Sequence, residues 1–228
     1  MAIDYRSQSP QILADFLSYH ETIKAHSQRT VDEYFLDLRN FFRYIKQLRD
    51  PALRDTPFDQ IGIMDIDLSL IKTITLSDIY GYMTYLSRDR VQHQNCENSD
   101  KGLNAASRAR KLATIRSFFN YLCNKVHLLE ENPCKDIDSP KQMKSLPRYL
   151  TLEDSLSLLD AVDGKHKERD FCIITLFLNC GLRISELIGL NLSDIQDDAM
   201  RVLGKGNKVR VVYLNDACKD ALARYLAV

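Results

Sequence analysis

Apolar residues recur on a helical period through most of the chain. Val31, Tyr34, Phe35, Leu38, Phe41, Phe42, Ile45 and Leu48 fall at i, i+3, i+4 spacing and predict an amphipathic helix over 30–48. Thr30 and Glu33 have the spacing of a capping box at its start. An earlier helix is expected over 11–22, burying Ile12, Leu13, Phe16 and Leu17. The stretch 50–72 has no single period and contains Pro51 and Pro57, so it reads as irregular. Thr75 and Asp78 cap a helix whose apolar face is Ile79, Tyr82, Met83 and Leu86. The polar run 90–102 reads as a loop, and a long helix follows over 104–124 with Leu112, Ile115, Phe118, Phe119 and Leu122 inside.

Pro133, Pro140 and Pro147 then rule out a continuous helix, because proline lacks an amide donor and drives its predecessor toward extended geometry. This region is expected to be an interdomain linker over 133–147, between domains 1–132 and 148–228. Beyond it Thr151 and Asp154 cap a helix to about 162, and another runs from about 167 to Gly181, a natural residue to follow a helix end. A shorter helix carries 183–190. The period then changes: 199–203 and 209–214 are β-prone and flank Gly204-Lys205-Gly206-Asn207, a hairpin signal. Asn215 caps a last helix, in which Leu222, Tyr225 and Leu226 form a face that needs covering. The expected fold is mainly α with a small β-hairpin or sheet.

Composition narrows the class. Lys+Arg 31 against Asp+Glu 31 gives zero formal net charge, which excludes a uniformly basic coat but not a local basic face. No apolar run approaches the ~18 residues of a membrane span, and the N-terminus lacks a signal-peptide layout. The six cysteines contain no C-x-x-C pair, so a zinc ribbon is not expected and free thiols in a reducing cytoplasm are.

Three segments carry candidate chemistry. Lys101, Arg108, Arg110, Lys111, Arg116 and Lys125 lie in 101–125 with no acid among them. A basic helix face neutralises phosphates through counterion release, although a solvated face is the commoner outcome. In Gly181-Leu182-Arg183-Ile184-Ser185-Glu186-Leu187, Arg183 opens a helix where free amides attract anions. A guanidinium there can grip phosphate through two parallel hydrogen bonds, with Glu186 holding it; a plain surface Arg–Glu pair is the alternative. Gly204-Lys205-Gly206-Asn207-Lys208 sets a lysine at a tight turn, where it can protonate a leaving alkoxide or simply decorate the turn.

The order of helical domain, proline linker, G-L-R-I-S-E-L and the hairpin G-K-G-N-K-V-R resembles the tyrosine recombinase (phage integrase) family, in its Xer-like bacterial branch. The segments 30–41 and 107–122 are similar to the family's N-terminal helices, and Asn132-Pro133, Pro140-Lys141 and Leu146-Pro147 to its linker. The resemblance implies a SAM-like helical core-binding domain followed by the first part of a catalytic domain. It further implies site-specific cutting and rejoining of duplex DNA through a 3′-phosphotyrosyl intermediate, without metal, ATP or other cofactor. Arg183 and Lys205 would be catalytic, the first clamping the scissile phosphate and the second protonating the 5′ hydroxyl, with Glu186 supporting. Lys101, Arg108, Arg110, Lys111, Arg116, Lys141, Lys144, Lys208 and Arg210 would contact DNA. The full protein would act as a homo- or hetero-tetramer on two DNA sites, with a possible partner recombinase, cytoplasmic and nucleoid-associated.

The family also uses a His-x-x-Arg box, a further His or Trp and a C-terminal tyrosine, all of which would follow position 228. His26–Arg29 and His166–Arg169 fit the box formally but precede Arg183, and Tyr213 and Tyr225 come too early to be the nucleophile. The 228-residue chain is therefore expected to bind DNA without cleaving it, with 216–228 poorly ordered. A non-catalytic accessory or competitor at recombination sites, or a helical protein–protein module, are the alternatives.

Overall fold

The computed structural model describes residues 4–91, 100–141, 146, 148–204 and 206–228. The chain divides into two units, 1–144 and 145–228.

The first unit is helical: α1 (Tyr5–Gln8), α2 (Gln11–Ser18), α3 (Gln28–Arg49), α4 (Leu68–Lys72), α5 (Leu76–Arg88) and α6 (Ala105–Asn124). The stripes read from sequence meet in one core, where Phe16, Phe35, Phe41, Phe42, Phe118 and Phe119 are fully buried. Phe118 packs edge-on to both Phe16 and Phe42, with centroids 5.3 and 5.6 Å apart. Edge-to-face pairs add to the ~1.5–3 kcal/mol that burial of each such side chain supplies. The Thr75–Asp78 capping box forms as expected, and the long helix expected over 104–124 is capped by Asn104, whose side chain accepts from the Ser107 amide.

Three features differ from expectation. The helix expected over 11–22 ends at Ser18 and continues as one π-helical turn, Tyr19–Ile23, before Ala25 at φ 50° turns the chain out. The long helix begins at Gln28, not Thr30, because Ser27 adopts extended geometry and its hydroxyl accepts from the Thr30 amide. Glu33 is drawn instead to Arg110, 3.0 Å away. The region 50–72 contains α4, capped by Asp67, and Ile61, Ile63, Ile66, Ile71 and Ile74 are buried, all but Ile61 within the main core. Of the predicted loop, Val91 and Lys101 form an antiparallel bridge, and 92–99 lie outside the described residues. The start of the proline-rich stretch packs on the first unit: Cys134 and Ile137 are buried in its core.

The second unit contains α7 (Leu152–Asp160), α8 (Lys167–Cys180), α9 (Ile184–Ile188), β1 (Ile195–Gln196), β2 (Ala199–Leu203), β3 (Val209–Tyr213) and α10 (Asp216–Leu226). The strands form an antiparallel sheet in the order β1-β2-β3, with Val202 opposite Arg210 and Leu203 opposite Val209. Alternation buries Met200 and Val202 while Arg201 and Leu203 face out. With Cys172, Leu176, Leu182, Leu214, Cys218 and Ala221 they make a smaller core. Its last helix is not the poorly ordered tail expected from sequence. α10 packs on α8 through Cys218 and Ala221, Asn215 donates to Asn179 at 2.8 Å, and Arg224 pairs with Glu168 at 2.9 Å.

Candidate functional site

The site is built where α8 ends. Gly181 takes the left-handed conformation (φ 57°, ψ 38°), which an L-residue with a Cβ adopts only at a cost, and so reverses the chain. Leu182, buried, anchors the turn, and Arg183 then stands in extended geometry as the residue capping α9. One turn on, Glu186 reaches back: Oε2 accepts from the Arg183 amide at 2.8 Å and Oε1 from Arg183 Nη1 at 2.7 Å.

A third residue joins them. Arg210, on β3, donates through Nη1 to Oε1 at 3.2 Å and through Nη2 to Oε2 at 3.0 Å. The Glu186 side chain is only 2% exposed, while those of Arg183 and Arg210 are 64% and 41% exposed. The Arg183 amide, the Arg183 side chain and the Arg210 charge together hold the Glu186 carboxyl below its ordinary range, against the opposing effect of burial. Two guanidinium groups on one carboxylate leave a net positive charge facing water.

The hairpin stem is pressed onto the same carboxylate. A Cβ at Gly204 would lie 3.4 Å from Glu186 Oε1 and 3.3 Å from the Lys208 carbonyl oxygen, and the Gly204 amide donates to that oxygen at 2.8 Å. Gly206 and Asn207 have successive positive φ values, 75° and 60°, as the tight hairpin turn requires. Lys205 and Lys144, both named from sequence, lie outside the described residues. Lys208 is exposed.

The basic segment of the first unit is rearranged relative to expectation. Arg110 and Lys111 both turn onto Asp37, a carboxylate only 1% exposed, each at 2.7 Å, and Thr114 donates to it at 3.0 Å. The acids that hold them are Asp37 and Glu33, both on α3. Arg116 donates to Ser139 Oγ at 2.8 Å and to the Ile137 carbonyl, tying the chain after α6 back onto that helix. Lys101 and Lys141 remain exposed, and Arg108 is half-buried with its Nε unpartnered.

Sequence reasoning missed Arg39, which lies over the Phe35 ring at 5.1 Å with a buried, unpartnered Nε. Its i, i+4 spacing to Arg43 was the available signal. Among the described residues no three His, Cys, Asp or Glu side chains gather as metal ligands.

Residues 148–228 match the model of the phage integrase family. Tyrosine recombinase XerC of Caldanaerobacter subterraneus subsp. tengcongensis is 46% identical over 219 residues, covering 96% of this chain and 59% of the relative. The chain belongs to the tyrosine recombinase family.

Within that family it is Xer-like: XerC of Myxococcus xanthus is 37% identical, over 97% of this chain and 64% of the relative. This recombinase-family chain spans about three-fifths of the length of the curated relatives it matches. Its fold is that of a lambda integrase(75-356) dimer bound to a COC′ core site, with TM-score 0.62 and 18% identity, covering 93% of this chain and 68% of that one. Among the described residues no helix is long and apolar enough to cross a membrane.

Proposed function

We propose that residues 1–228 are the DNA-binding portion of a site-specific recombinase that cuts and rejoins duplex DNA through a 3′-phosphotyrosyl bond in the cytoplasm, at the nucleoid. The observation that carries this reading is the Arg183 guanidinium, exposed to solvent yet fixed from behind by the buried Glu186. Its free fork suits the non-bridging oxygens of a phosphodiester, whose single charge matches the net positive charge of the cluster. Lys205, which follows Gly204 in the sequence, is the general acid for the departing 5′ oxygen. Catalysis of this kind rests on positioning and preorganised charge.

Lys101, Arg108, Lys141, Lys144 and Lys208 supply phosphate contacts. Arg110, Lys111 and Arg116, held by intramolecular partners, act mainly in the fold. Residues 1–228 alone bind without cutting, since no histidine follows His166 to form the family's His-x-x-Arg box after Arg183. The complete enzyme works as a tetramer on two duplexes, with itself or a partner recombinase.

The test is a chimera joining residues 1–228 to the C-terminal remainder of the Caldanaerobacter XerC. On a nicked suicide duplex bearing that relative's site it should become covalently attached to the 3′ phosphate, and Arg183→Ala should abolish attachment. A folded, DNA-bound chimera that forms no adduct, or one whose adduct survives Arg183→Ala, overturns the assignment.

A further inference from the structure

We infer that Arg210 is a positioning residue: by occupying Glu186 through both of its terminal nitrogens, it confines Arg183 to a single side-chain bond and leaves the rest of that guanidinium free for phosphate.

A carboxylate offers roughly four lone-pair sites. Those of Glu186 are filled, Oε1 by Arg183 Nη1 and Arg210 Nη1, Oε2 by the Arg183 amide and Arg210 Nη2. The two arginines therefore compete for one acceptor. Arg210 holds the fork-to-fork position, and Arg183 is left with one terminal nitrogen on the carboxylate and 64% of its side chain in water. Without Arg210, Oε2 has a vacant site facing the Arg183 guanidinium. Arg183 would then rotate into the two-point pair that geometry and charge both favour, turning its fork away from solvent.

Arg210 also couples two segments. It sits on β3 opposite Val202, so its grip on Glu186 fixes the hairpin stem to the turn carrying Arg183. A lysine at 210 has no planar fork and holds one oxygen at a time. This places Arg210 beneath the site, in contrast to the direct DNA contact expected from sequence.

The DNA arm of the test rests on the phosphate-site reading above; the NMR arm does not. In the 228-residue chain, the Arg183 Nε–H signal should exchange rapidly with water. In Arg210→Gln it should become protected as Arg183 closes onto Glu186, and in Arg210→Lys it should be intermediate. The Glu186 carboxyl should titrate at higher pH in Arg210→Gln than in wild type. For duplex DNA measured by fluorescence anisotropy, Arg210→Gln should weaken binding about tenfold, a difference of about 1.4 kcal/mol. In a Glu186→Gln background the same change should cost less than about twofold. Equal losses in both backgrounds would make Arg210 a direct phosphate contact and overturn the inference. An Arg183 Nε–H unaltered by Arg210→Gln would overturn it too, whether or not the chain binds DNA. Protection in the NMR arm without DNA binding by wild type would uphold the positioning role and refute the phosphate site.

Discussion

Replacing Asp37 by Asn removes a full negative charge from the middle of the first unit, where Arg110 and Lys111 both pair with it. Asp37 is 1% exposed and receives Arg110 and Lys111 at 2.7 Å each, plus the Thr114 hydroxyl. Removing one partner of a buried ion pair costs about 3–5 kcal/mol. Arg110 is half exposed and keeps Glu33 at 3.0 Å, so its share is small; Lys111, 13% exposed, bears most of the loss. About 3 kcal/mol is therefore expected, toward the low end of that range. Unfolding entropy near 2.1 cal/mol/K per residue gives about 0.3 kcal/mol/K for a unit the size of 1–144, so the melting temperature should fall by about 10 °C.

Near-UV circular dichroism of the tyrosines, most of which lie before residue 122, follows this unit directly. Glu33→Gln, on the exposed side of the same cluster, should shift the midpoint by no more than ~2 °C, as surface pairs do. A second check is the double-mutant cycle with Lys111→Met, which should recover part of the loss because the unpaired cation goes with its partner. If Asp37→Asn melts within about 2 °C of wild type, the carboxylate is not the buried anchor of α6, and Arg110 and Lys111 return as candidates for DNA contact.

Gly181→Ala should cost about 1–2 kcal/mol from backbone strain alone, since nothing lies within 4 Å of the added Cβ; calorimetry of the chain should show it in the transition of the second unit. Thr151→Ala removes half of the capping box of α7 and should cost about 1 kcal/mol by the same measurement. Burial first, then the His26 and Lys24 charges, push the His20 imidazole from 6.5 down to about 4. The unfolded chain thus binds the extra proton between these values. Stability should be full above pH 6.5 and decline as pH falls through about 4, and His20→Gln should flatten that slope in urea titrations across the range.

The helices and most of their caps were legible because local pattern and global packing agree in them: Thr75, Thr151, Gly181 and Asn215 do in the fold what their types do in isolation. Ser27 and Thr30 are both competent caps by type; the extended geometry of Ser27 and the bond its hydroxyl accepts from the Thr30 amide give it the role, while Glu33 pairs with Arg110 from a helix far along the chain. The isoleucines of 61–74 follow no single period, so their burial depends on a core that sequence spacing does not describe. Asp37 carried a signal, since it lies between Phe35 and Leu38 inside a buried stripe, where a charge needs partners; the all-basic stretch 101–125 held them. In the candidate site, Arg183 and Glu186 were found because they are one helical turn apart. Arg210 was not placed with them, because strand registry brings it across 24 residues to the same carboxylate.

The role of Arg183 as a phosphate ligand is tested most directly by the salt dependence of duplex binding by the 228-residue chain, wild type against Arg183→Ala. Each phosphate neutralised contributes a slope of about −0.9 in log affinity against log salt. Saturable binding is expected, with a slope of several such increments that falls by about one in Arg183→Ala. Affinity that ignores salt, or a slope that Arg183→Ala leaves unchanged, would contradict the assignment of Arg183 as a phosphate ligand.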